Sequence, residues 1–187
     1  MNQNLEGIIA LYGKSKEGKS SSLRELINVM AGLLPPKKRK DYRAIIKDYN
    51  VTSEDKKVNV FIATCGDTQE VLEDNIRFFN SKMPDNNPPI FIFDYGTKTW
   101  EEVKNMEQLK DIEANICISA CRTEGGGVDA MRYFINSHLS YTFFSAWIRL
   151  AILRAKLGTP KDMNKPADWD KIAGELKKII DKIIAWK

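Results

Sequence analysis

Gly13-Lys14-Ser15-Lys16-Glu17-Gly18-Lys19-Ser20 is a glycine-bounded, basic stretch of the form G-x-x-x-x-G-K-S, and its flanks set the fold. Upstream, Gly7–Tyr12 is a short apolar run of the kind a buried parallel strand requires. Downstream, Leu23, Leu26, Ile27, Met30, Leu33 and Leu34 recur at helical spacing and predict an amphipathic helix from about Ser20. Strand, loop and helix in that order turn the amides of residues 15–20 inward at the positive end of a helix, where anions bind. Gly13 is expected to leave the strand in a conformation closed to side chains, and Gly18 to let the backbone approach a ligand closely.

This stretch resembles the phosphate-binding loop, or Walker A motif, of P-loop nucleoside triphosphatases. The resemblance implies a three-layer α/β fold, a mostly parallel sheet with helices on both faces. It implies that Gly13 to Ser21 cradle the phosphates of ATP or GTP, that Lys19 contacts the β- and γ-phosphates, and that the Ser20 hydroxyl ligates Mg²⁺. Lys14 stands where ParA- and MinD-like ATPases carry an extra lysine that reaches across a nucleotide-sandwich homodimer. Those proteins usually follow it with two glycines, where this chain has Ser15 and Lys16.

Composition narrows the alternatives. The 187 residues predict one domain over 1–187, with 43% hydrophobic and 29% charged residues as in ordinary globular proteins. A net charge of +4 makes no general case for nucleic-acid binding. The basic run Lys37–Lys40 reads as a solvated loop or as a phosphate-backbone contact. No apolar stretch reaches the roughly 20 residues of a membrane span. The polar start Met1–Glu6 has no signal-peptide pattern, so a cytoplasmic location is expected. Cys65, Cys117 and Cys121 read as buried reduced thiols, and with His138 the single histidine, a zinc site has little support.

Further along, Tyr42–Tyr49 and Val58–Thr64 are strand-like runs separated by the polar stretch Asn50–Lys57, too short for a crossover helix. They predict an antiparallel hairpin over 42–64. The second strand leads into Asp67, where the resemblance places a Walker B acid holding Mg²⁺ beside the loop strand, with Gln69 or Glu70 to orient a water. Asp67 also suits the N-cap of a following helix. Ile90–Phe93 ends in Asp94, the alternative acid. Trp100–Ile112, with Val103, Met106, Leu109 and Ile112 in phase, predicts a helix.

Ala114–Cys121 is another buried-strand run, and it leads into Arg122-Thr123-Glu124-Gly125-Gly126-Gly127. Arg122 there reads as an internal arginine finger, as the hinge of a mobile lid over 122–127, or as a salt-bridged loop residue. A helix is predicted over Val128–Leu139, a last strand over Tyr141–Ile148 or, since the run continues to Leu157, a helix instead, and a C-terminal amphipathic helix through Trp169 and Ile184.

Three functions follow from the resemblance. The first is Mg²⁺-dependent binding and hydrolysis of ATP or GTP, coupled to a conformational or partner-binding switch with Lys19, Asp67 and Arg122 as catalytic residues. The others are a small-molecule or nucleotide kinase, and a nucleotide-binding interaction module without turnover.

Overall fold

The computed structural model describes residues 5–36, 41–51, 56–65, 70, 72, 75, 88–137, 143–159 and 166–186. The loop strand β1 (Gly7–Gly13) runs into helix α1 (Lys19–Ala31), followed by β2 (Arg43–Val51), β3 (Lys56–Ala63), β4 (Ile90–Asp94) and β5 (Thr99–Glu102). Then come β6 (Ile116–Arg122), α2 (Gly126–Ser137), β7 (Phe144–Arg149), α3 (Leu150–Leu157) and α4 (Pro166–Ala185). The seven strands form one sheet in the order β5-β4-β2-β3-β6-β1-β7.

Strand direction decides where functional groups emerge. β1 is parallel to β6 and β7, and β3 is parallel to β6. β2 runs antiparallel to β3, as the hairpin pattern predicts, and β4 runs parallel to β2. The chain is therefore an α/β protein with a mostly parallel, mixed sheet. The carboxyl ends of β1, β3, β6 and β7 share one edge, whereas β4 ends at the opposite edge.

Alternation along the strands separates two cores. Ile9 and Leu11 of β1, with Ile116 and Ile118 of β6, pack against Leu23, Leu26 and Ile27 of α1 and Ile172, Leu176 and Ile180 of α4. Ile8 and Ala10 face the other way, toward Met131, Phe134 and Ile135 of α2. Helices thus cover both faces of the sheet. Each fully buried Ile, Leu or Phe contributes about 1.5–3 kcal/mol through removal of apolar surface from water.

Three expectations are corrected. Helix α1 closes at Gly32, which takes the left-handed conformation (φ 72°) and donates its N–H to Asn28 O at 2.7 Å. Leu33 and Leu34 therefore lie beyond the helix and are exposed. The predicted helix over Trp100–Ile112 is instead edge strand β5 followed by a 3-10 turn, Met106–Leu109. A repeat of three is the 3-10 period, and Asn105 and Gln108 close that turn as a reciprocal capping box. Trp100 pairs with Phe93 across the β4–β5 hairpin, with ring centroids 5.0 Å apart. Finally, the run reaching Leu157 carries both elements: β7, Phe144–Arg149, runs straight into α3, Leu150–Leu157.

Candidate functional site

The loop between β1 and α1 is built on two left-handed residues, Lys16 (φ 60°) and Gly18 (φ 86°). Gly13 is not among the left-handed residues, so its expected conformational role is corrected to a spatial one. A Cβ there would overlap Glu17 Oε2, because the Glu17 side chain folds back so that its carboxylate accepts the Lys14 N–H at 2.8 Å. Gly18 caps α1 without a side chain, and the first turn of that helix carries no acidic residue. The helix start thus offers donors and positive potential rather than an internal carboxylate.

Lys19 is only 2% exposed, and its ammonium donates to Gly13 O at 3.1 Å and Lys14 O at 2.8 Å. A buried ammonium is tolerated because its donors are satisfied, here by carbonyls of the loop it would serve. Ser20 and Glu17 are half-buried, and Lys14, Ser15 and Lys16 are exposed around the rim. The Ser22 hydroxyl donates to Gly18 O at 2.9 Å, and Ser21 Oγ accepts from Arg24 Nη2 at 3.0 Å.

Arg122 ends β6 in register with Gly13, so one strand spacing of about 4.8 Å separates it from the loop's first residue. Its Nε is buried with no hydrogen-bond partner among the described residues. The glycine segment after it is shorter than its sequence suggests. Gly126 and Gly127 belong to α2, leaving the connection Thr123–Gly125, with Gly125 left-handed at φ 89°. The expected lid over 122–127 is thereby reduced to a three-residue turn.

Asp67, Gln69 and the basic run Lys37–Lys40 lie outside the described residues, as does His138. The strand leading to Asp67, β3, is not a neighbour of β1: β6 lies between them. Its carboxyl end does open on the loop's edge of the sheet, because β3, β6 and β1 are parallel. Asp94 is placed far from the loop. It ends β4, which runs opposite to β1 and lies four positions away in the sheet. Its Oδ1 accepts the N–H groups of Thr97 at 3.1 Å and Gly96 at 2.7 Å. Those backbone donors hold its carboxyl below the usual aspartate value. Asp94 is the first residue of the β4–β5 turn, and as a metal ligand for this loop it is excluded by position.

No cluster of three or more His, Cys, Asp or Glu side chains that could hold a metal ion occurs among the described residues. The three cysteines are buried, and burial pushes the Cys117 thiol well above its ordinary value.

Sequence reading missed Arg154 altogether. It lies on α3, 5% exposed, and its Nη2 donates to Glu17 O in the loop. Burial pulls the guanidinium below the ordinary arginine value, against the opposing fields of Glu17 and Asp168. In sequence it is one arginine in the apolar run Leu150–Leu157, and nothing nearby in the chain marks it.

A cavity of about 560 Å³ adjoins this edge, lined by Tyr12, Thr123, Val128, Arg132, Asn136 and Trp147 among others. Tyr12 and Trp147 meet edge to face, with centroids 5.8 Å apart. No helix among the described residues is long and apolar enough to cross a membrane. Compared with models of protein families, with curated proteins and with solved structures, the chain matches none.

Proposed function

We propose that this chain is a P-loop nucleoside triphosphatase: it binds ATP or GTP with Mg²⁺ at residues 13–21 and hydrolyses it to switch its conformation or its hold on a partner. The observation that carries the reading is Lys19, buried under the loop and donating to two of the loop's own carbonyls. Those neutral acceptors are weaker than phosphate oxygens, so an arriving triphosphate draws the ammonium into charge-assisted hydrogen bonds. The uncapped first turn of α1 and the loop amides receive the remaining oxygens. Mg²⁺, when bound, neutralises phosphate charge and would be held by the Ser20 hydroxyl, with Asp67 as the candidate acid. Arg122, one strand from Gly13, is suited to stabilise charge that develops as the terminal phosphate leaves. Lys14 at the exposed rim is the residue that would reach a second copy. Three buried, reduced thiols fit a cytoplasmic setting.

A second reading, phosphoryl transfer to a small molecule, is favoured by one observation. The 560 Å³ cavity is of ligand size and combines aromatic walls with Arg132, Asn136 and Thr123 close to the loop.

Phosphate release from Mg–ATP and Mg–GTP, with and without a panel of acceptors, separates the readings. Acceptor-independent release that is lost in Lys19→Ala is the expected result, and Asp67→Asn is expected to abolish the Mg²⁺-dependent part. Release only with an acceptor supports transfer, and tight binding without turnover supports an interaction module. No binding of either triphosphate overturns the proposal.

A further inference from the structure

We infer that Arg154 is a positioning residue for the phosphate loop: it fixes the orientation of the Glu17–Gly18 peptide so that the Gly18 N–H faces the anion. The inference rests on the reading of the loop as a triphosphate site. A trans peptide is planar, and its C=O and N–H point in opposite directions. Arg154 Nη2 holds the Glu17 carbonyl from the α3 side, which turns the Gly18 N–H to the other side, into the loop. Gly18 alone would not secure this, because glycine populates positive and negative φ about equally and lets the adjoining peptide flip. A flipped peptide would present a carbonyl oxygen to the phosphate, replacing attraction by repulsion.

The arginine lies close against Gly18, and its Nε has no hydrogen-bond partner among the described residues. Its guanidinium lies 3.0 Å from where a Gly18 Cβ would stand, and Trp169 Nε1, from the first turn of α4, lies 3.8 Å from the same point. Thr159 closes α3 behind it, donating its N–H to Arg154 O at 3.1 Å. Lys156 on α3 reaches Glu175 on α4 at 2.6 Å, and α4 packs on α1 in the same core. Glu17 completes the brace from inside the loop through its bond to the Lys14 N–H. Loop geometry thus depends on a side chain 137 positions away in sequence. Lysine at 154 would supply a charge without the planar, fixed geometry that brings Nη2 to the Glu17 carbonyl.

The test uses the full chain and inorganic tripolyphosphate with Mg²⁺, so that base recognition plays no part. Calorimetry should show Arg154→Ala binding at least tenfold more weakly than the unsubstituted protein, and Arg154→Lys weaker too. Added guanidinium ion should restore binding to Arg154→Ala, whereas methylammonium should not. In ¹⁵N-labelled unsubstituted protein, the Gly18 amide resonance should move on saturation with tripolyphosphate. Binding by Arg154→Ala within twofold of the original, or a loss that guanidinium does not repair, overturns the inference and leaves the loop reading intact. If the variants do not fold, a Gly18 amide that stays put at saturation overturns it as well. Failure of the unsubstituted protein to bind tripolyphosphate or ATP overturns the site reading, and this inference with it.

Discussion

Gly13→Ala should change the sign of its effect on stability according to what stands at position 17. The added Cβ overlaps Glu17 Oε2, while the next atoms, Glu17 Cδ at 3.5 Å and Leu150 Cβ at 3.6 Å, are at ordinary contact distance. The overlapped atom is the tip of a flexible side chain, so the carboxylate swings out to water and the backbone stays. What is lost is the Lys14 N–H bond to Oε2 at 2.8 Å. A hydrogen bond to a charged acceptor contributes about 1.5–3 kcal/mol, and exposure at Lys14 puts this one at the lower end. Against that, Gly13 does not use the left-handed region, so alanine there removes unfolded-state freedom and stabilises by about 0.4–1 kcal/mol. The net expectation in the original background is a loss of roughly 1 kcal/mol, seen as about 2–4 °C in Tm for a chain of this size. In a Glu17→Ala background the overlap and the bond are both gone, and Gly13→Ala should stabilise by about 0.4–1 kcal/mol. Urea unfolding of the four proteins in a double-mutant cycle gives the coupling directly, with about 1.5 kcal/mol expected. Equal effects of Gly13→Ala in the two backgrounds would refute the brace.

Lys16 is left-handed without being glycine, a conformation that costs about 1–2 kcal/mol, so Lys16→Gly should raise stability by about 0.5–1 kcal/mol in the same unfolding assay. Tyr42 is 3% exposed, its hydroxyl lacks a hydrogen-bond partner among the described residues, and burial pushes its pKa from 10.0 to about 12. The folded state therefore favours the neutral phenol: the full contribution is present below pH 10 and is lost as pH rises toward 12, at about 1.4 kcal/mol per pH unit. Tyr42→Phe should flatten that alkaline loss and leave neutral-pH stability unchanged or higher, and a Tyr42→Phe protein with an unaltered alkaline profile would disprove this. Tyr49 donates to Asp181 Oδ1 on α4 at 2.7 Å, tying β2 to that helix, so Tyr49→Phe should cost about 1.5–3 kcal/mol at neutral pH, measured by urea unfolding.

Local pattern carried much of this chain. Apolar runs in Gly7–Tyr12, Tyr42–Tyr49 and Val58–Thr64 and helical-period repeats in Leu23–Met30 and Trp169–Ile184 are physical requirements of single elements, and strands and helices stand where those patterns put them. The hairpin was legible because a linker too short for a crossover helix leaves only an antiparallel return. The candidate loop was legible because its glycines and lysine are contiguous. The misread region, Trp100–Ile112, shows the limit of the same logic: residues three apart satisfy a helix and a 3-10 turn alike, and the pairing of Trp100 with Phe93 chose between strand and helix. Asp67 and Asp94 both follow apolar runs, and sequence favours Asp67 because its strand closes the hairpin and a helical segment follows. Strand order and direction separate them, sending Asp94 to the far edge and the end of β3 to the loop's edge. Gly13 and Arg154 mark the same boundary. A glycine's need is invisible until the Glu17 carboxylate is seen to lie over it, and an arginine in an apolar run is ordinary until α3 is docked on the loop. Sequence determined which segments could be strand, loop and helix, because those preferences act over a few residues. Only the tertiary structure decided which distant side chains brace the loop, because those contacts exist only once the sheet has set its strand order.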